Sequence, residues 1–297
     1  MSASTSIPSV TPTSGLKRWV AKRPLPAYFI MAFAFSWVAV LPLILSRSGL
    51  ISVNLPTTPF LILGALLGPT LSAYIATWVQ SGRTGMRQLL ARYVQWRVGL
   101  GWYLLVLFGP LVVLTLGAVP FLGSSILVAF SQNLPLLLSL YLPALVVGIF
   151  FGPLWEEPGW RGFALPRLQT RYGALLGSLI LGVLWGLWHF PGFLGGWLGP
   201  LSVSSFAALL VGTTAFSIIM TWVYNNTQGS LLIMILMHSA FNAASSFGSK
   251  ILPANIPGTL GTIVYSGWIP AATYAVCALL VIVLTRSRLS YRSEGDA

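Results

Sequence analysis

Apart from Glu294 and Asp296 at the C-terminus, the chain has only two carboxylates, the neighbours Glu156 and Glu157. It also has only two histidines, His189 and His238. All four lie in or beside long apolar runs of a sequence that is 56% hydrophobic and 7% charged. An ionisable side chain at membrane depth costs several kcal/mol. A sequence that discards nearly every acid and imidazole but places these four there is using them for chemistry. A carboxylate with two imidazoles can move protons, polarise a bond or hold an ion.

Their spacing divides the work. In Trp155-Glu156-Glu157-Pro158-Gly159-Trp160-Arg161-Gly162, Glu157 and Arg161 are four apart and can pair on one helical face. Adjacent residues point about 100° apart, so Glu156 projects elsewhere, toward a cavity. Pro158 is expected to break or restart this helix. A second helix carries Trp185-Gly186-Leu187-Trp188-His189, and a third carries His238 and Asn242 on one face. Each cluster has a plainer reading: a stabilising charge pair, a packed histidine, an interhelical hydrogen bond. The combination of carboxylate, two imidazoles and amide from three helices favours a site.

The elements that position them are read as membrane spans. Eight candidates fall at roughly 25–46, 58–80, 99–122, 133–157, 174–197, 201–224, 229–248 and 263–285, the fourth able to extend inward to about residue 168. The expected fold is an all-α polytopic membrane bundle of about eight transmembrane helices. Its expected layout is a disordered cytoplasmic tail over 1–24 and N-terminal spans over 25–127. A catalytic core over 128–250 follows, then a last span and tail over 251–297. Gly-Pro pairs at Gly68-Pro69, Gly109-Pro110 and Gly152-Pro153 predict bends, the last just before the glutamates. Trp78, Trp96, Trp102, Tyr172, Trp222 and Tyr224 lie near span ends, as an interfacial belt would. Trp155, Trp160, Trp185 and Trp188 bracket the ionisable residues instead and could wall a pocket.

The formal net charge of +12 is a matter of topology. If the spans alternate, every Lys and Arg except Arg47 and Lys250 falls on one side, which places both termini in the cytoplasm. The expected partner of that charge is an anionic lipid surface rather than nucleic acid. The expected location is the plasma membrane if the source is a prokaryote. The sole cysteine, Cys277, leaves no intrachain disulfide. By helical rise Glu156 falls roughly 16 Å, His238 about 15 Å and His189 about 20–26 Å from the cytoplasmic boundary, which predicts a site within the membrane reached most easily from that half.

The pattern Glu-Glu-x-x-x-Arg, then a helix ending in His, then His-x-x-x-Asn, resembles the CPBP family of CAAX-prenyl-endopeptidase and bacteriocin-processing intramembrane proteases. The matching residues are Glu156, Glu157, Arg161, His189, His238 and Asn242. The resemblance covers roughly residues 133–248. It departs at Trp185, where the family usually has Phe. It implies hydrolysis of a peptide bond in a membrane-associated or lipidated substrate.

Two mechanisms fit these residues. In one, Glu156, His189 and His238 hold a divalent metal, zinc by their donor types, with Asn242 as a further ligand or orienting group. In the other, Glu156 assisted by His189 is the general base, while His238 and Asn242 stabilise the oxyanion. Other protease chemistries lack their residues: there is no His-Glu-x-x-His, no Gly-x-Ser-x-Gly, and Asp296 is the only aspartate. The rival readings are a proton-coupled transporter and a non-catalytic scaffold or immunity protein. No internal repeat supports the transporter.

Overall fold

A bilayer core offers no partners to backbone N–H and C=O groups, so each apolar run must satisfy its own, and a helix does so. The computed structural model describes residues 15–252, 256 and 258–292, and among these the regular structure is helical throughout. A short α1 (Gly15–Lys22) precedes α2 (Pro24–Arg47), α3 (Thr57–Val94) and α4 (Leu100–Leu122). A peripheral α5 (Ser125–Gln132) leads into α6 (Leu137–Tyr172) and α7 (Ala174–Leu194). Next come α8 (Val203–Asn226), α9 (Leu231–Ile251), α10 (Gly258–Tyr265) and α11 (Trp268–Leu284). Seven of these are long and apolar enough to cross a membrane, and α10 with α11 makes an eighth if the bent pair is one span. The protein is an all-α, multi-pass membrane bundle.

Two expected elements look different. The eighth span is bent by 66° between α10 and α11. Gly267 at that bend has φ 85°, which removes it from the helical ladder. The tail expected over 1–24 is described only from Gly15, and there it is helical as α1. Leu16, Trp19 and Val20 recur at helical spacing opposite Lys17, Arg18 and Lys22, so this segment is amphipathic. The remainder of that tail, and residues 293–297 of the C-terminal one, lie outside the described residues.

The helices alternate direction, so the bundle has a basic end and an opposite end. At the basic end, Arg167 Nη2 on α6 donates to Gln80 Oε1 on α3 at 2.6 Å. Arg92 Nη1 donates to Tyr224 OH at 2.6 Å, and Ser230 Oγ to Gln95 O at 2.7 Å. Tyr224, placed by sequence in the interfacial belt, is therefore a buried strut, whereas Trp78, Trp96 and Tyr172 are exposed as expected. At the opposite end lie Arg47, the connection from α7 to α8 and the α10–α11 bend.

The helix that carries the glutamates is the most irregular. α6 opens with a π-helical turn at Leu137–Tyr141, loses its helix before Pro153, and has a second π-helical stretch at Pro158–Ala164. Prolines 153 and 158 supply no backbone N–H, so the regular ladder cannot run through them. α3 is irregular beside it, with a π-helical turn at Leu66–Thr70 around Pro69, and the Thr70 hydroxyl donates to Trp155 O. Pro110, by contrast, is absorbed within a continuous α4. Gly159 shows how closely α3 and α6 approach, since a Cβ there would meet Pro69 O and the Tyr28 hydroxyl at 2.5 Å.

Candidate active site

The restart of α6 at Pro153 sets Glu156 and Glu157 on its first turn, and their side chains separate as the helical offset requires. Glu157 is fully buried, and its Oε1 accepts from Arg161 Nη1 at 3.0 Å. The same oxygen lies 2.8 Å from His238 Nδ1, so this carboxylate joins α6 to α9. Arg161 is also fully buried, with its guanidinium 4.3 Å from the centre of the Trp185 ring. Expected as one of the basic residues of the cytoplasmic edge, it is instead part of the bundle interior. α6 runs on to Tyr172, in keeping with the longer form of span four, and this draws Arg161 inward. Removing one partner of a buried charge pair leaves the other uncompensated, at a cost of about 3–5 kcal/mol.

Glu156 points away from this cluster. It is 7% exposed and lines a cavity of about 310 Å³ together with His189 and Asn242. Its Oε2 accepts from Trp185 Nε1 at 2.9 Å. His189 ends the regular part of α7, and its Nδ1 lies 2.8 Å from Trp185 O, which leaves Nε2 as the free ring nitrogen. His238 is likewise tied through Nδ1, with Nε2 free. A second cavity, of about 570 Å³, is lined by His189, His238 and Asn242. Ser239, next to His238, fixes α9 against α6 through a 2.6 Å bond to Leu145 O.

All six residues singled out by sequence therefore meet around α6, α7 and α9. Glu157 and Arg161 form the brace, Glu156 lines the smaller cavity, and His189 and Asn242 line both cavities. Trp185 is the residue whose part was missed. Sequence places it only among the residues of a pocket wall, but its indole touches Glu156 and Arg161 and lies edge-on to His238 with ring centres 5.2 Å apart. The signal was its N–H, a donor that needs an acceptor once buried. The part played by α2 was also missed: Ser36 accepts from Trp188 Nε1 at 2.7 Å, and Ser36 and Trp37 line the smaller cavity.

The route from the cytoplasmic half that the depths implied is packed. Trp160, Arg161, Phe163 and Leu165, each fully buried, lie between the glutamates and the basic end of α6. Both cavities instead extend toward Leu198 and the connection from α7 to α8.

Orientation of each imidazole by an Nδ1 bond to an oxygen is common among metal-ligating histidines, so the donor types suit zinc. Among the described residues no three His, Cys, Asp or Glu side chains converge so as to hold an ion. Glu156 is engaged by the Trp185 indole, His189 by the Trp185 carbonyl and His238 by Glu157.

Residues 138–244, which contain all six site residues, match the family described as Type II CAAX prenyl endopeptidase Rce1-like. The match is to the part of the chain that holds the site and takes in about a third of its length. A curated relative named CAAX prenyl protease 2, from Methanococcus maripaludis, is 29% identical over 114 residues. That alignment takes in 34% of this chain and 39% of the relative's length. The chain thus spans well under half of that relative's length, and α2, which lies outside the matched residues 138–244, still contributes to the cavity wall.

Proposed function

We propose that the protein is an intramembrane endopeptidase in which Glu156 activates water against a peptide bond of a membrane-associated substrate. The observation that carries this reading is the separation of the two glutamates. One is spent on a buried brace, while the other lines a cavity beside an imidazole and an amide.

Glu156 takes a proton from water, with His189 beside it to orient that water, and the hydroxide adds to the carbonyl carbon. The negative charge on the carbonyl oxygen is met by His238 and Asn242. To donate from Nε2 as well as Nδ1, His238 must be an imidazolium, and the Glu157 carboxylate balances that charge. Two carboxylates, one guanidinium and one imidazolium then leave the cluster neutral overall. Glu156 returns its proton to the leaving nitrogen, the C–N bond breaks, and a carboxylate and an amine are released.

The test is turnover in proteoliposomes of fluorogenic peptides fused to a membrane-spanning segment, read by mass spectrometry of the products. Cleavage by the wild type and none by Glu156→Gln is expected. Equal turnover by the variant would remove Glu156 from the mechanism. A second reading, with zinc on Glu156, His189 and His238, is favoured by the Nδ1 bonding of both imidazoles. Elemental analysis of the wild type beside a His189→Ala, His238→Ala variant separates the two. Stoichiometric zinc lost in the variant would establish the metal, and an active metal-free preparation would leave Glu156 as the direct base.

A further inference from the structure

The basic end of the bundle is closed above the site. Arg92 bridges α3 to Gly162 O at 3.3 Å and to Tyr224 OH. Gln95 reaches Gln228 O at 3.2 Å, and the chain after α11 inserts Leu289, fully buried, with its carbonyl held by Asn225 Nδ2 at 2.9 Å. Beneath this cap lies the packed layer of Trp160, Arg161 and Phe163.

The other end is open. The smaller cavity runs from Glu156 past Trp188 to Trp197 and Leu198, and the larger runs from His238 to Ser202, Ser204 and Tyr265. Both are lined by His189, Leu198 and Asn242, so they lie on either side of one shared wall. Their mouths lie at the end that carries only Arg47 and Lys250 among the basic residues outside the interior. Positive charge marks the cytoplasmic side of a multi-pass protein, so this end faces away from the cytoplasm.

We infer that the peptide bond reaches the site from the non-cytoplasmic end of the bundle, as part of a membrane-anchored segment laid across His189 and Asn242 with one flank in each cavity. This rests on the endopeptidase reading for the chemistry, but the direction of approach stands on packing and charge alone. The character of the larger cavity fits such an occupant. Its walls include Phe193, Phe216 and Phe241 for apolar side chains, and its mouth carries serine and threonine hydroxyls that can take up backbone N–H and C=O groups.

The test uses single cysteines in a Cys277→Ser background: Ser204→Cys at the mouth of the larger cavity, Val203→Cys beside it, and Thr84→Cys at the basic end. Val203 is 90% exposed and serves if Ser204, which accepts from Trp268 Nε1, tolerates no change. A membrane-impermeant maleimide is applied to intact cells of a bacterial host and to inverted vesicles. Labelling of Ser204→Cys or Val203→Cys in intact cells, with Thr84→Cys labelled only after inversion, is the expected result. A bulky maleimide on Ser204→Cys should then lower turnover at least tenfold, while the same adduct on Thr84→Cys leaves it unchanged. The inference is overturned if the mouth cysteines react from the same side as Thr84→Cys, or if only the Thr84→Cys adduct blocks hydrolysis. A protein without peptidase activity would still give the labelling pattern, so failure of the function and failure of the direction are separately visible.

Discussion

Glu156 and Glu157 are adjacent in sequence and identical in chemistry, yet their surroundings give them opposite tasks. Glu157 has no exposed surface and shares one oxygen between a guanidinium and an imidazole. Glu156 keeps a hydrogen bond from Trp185 on one oxygen and lines a cavity. The difference comes from a helical offset of about 100° between neighbours, read against a fixed set of packed helices. A carboxylate held by a guanidinium and an imidazole is committed to structure, whereas one on a cavity wall is free to exchange a proton with what enters.

The sharpest way to break this comparison is to neutralise each glutamate in turn. Glu156→Gln should lower turnover by at least about 1,000-fold, on the order of 4 kcal/mol of barrier, with thermal unfolding in detergent little changed. Glu157→Gln should instead lower stability by about 3–5 kcal/mol, because Arg161 is left buried without its counter-charge. If Glu157→Gln unfolds like the wild type and only loses activity, the brace assignment fails. Replacing both partners, Glu157→Leu with Arg161→Met, should recover much of the unfolding midpoint and none of the turnover, since a buried pair is often replaceable by apolar side chains of similar volume.

Trp185→Phe sharpens the comparison from the Glu156 side. The phenyl ring keeps a face for Arg161 but removes the one hydrogen-bond donor that the Glu156 side chain has among the described residues. A fall in kcat of about tenfold, equivalent to about 1.4 kcal/mol, with KM unchanged, is expected of a residue that positions the base. A lowered melting temperature with unchanged kcat would make Trp185 a packing residue only. At the closed end only stability should move: Arg92→Ala removes charge-assisted hydrogen bonds to Tyr224 and to Gly162 O and should cost about 1.5 kcal/mol, read from the unfolding midpoint.

Much of the site was legible in the sequence because membrane-embedded ionisable residues are costly and therefore few. Glu156, Glu157, Arg161, His189, His238 and Asn242 stood out against an apolar background, and the i, i+4 pairing of Glu157 with Arg161 followed from helix geometry alone. The indole of Trp185 was legible as a residue but not as a donor to Glu156, because that contact joins positions 29 apart on different helices. Ser36 could not be found at all, since one serine in an apolar span carries no signal until a tryptophan 152 residues away approaches it. The packing between the site and the basic end was not legible for a related reason. Depth along a single helix fixes how far a residue lies from each surface, but not which side is packed shut.

The sequence by itself determined the helical, multi-pass class, the number of apolar runs, the charge asymmetry between the two ends, and which side chains could do chemistry. These follow from hydropathy, composition and helical period, all properties of residues near one another in the chain. Tertiary structure alone decided that His238 binds Glu157 rather than Glu156, that Trp185 serves Glu156, and that the cavities open away from the basic end. Each of those is a contact, or a gap, between helices far apart in sequence. Which groups meet there depends on how the α6 turns at Pro153 and Pro158 rotate one helix against α3, α7 and α9.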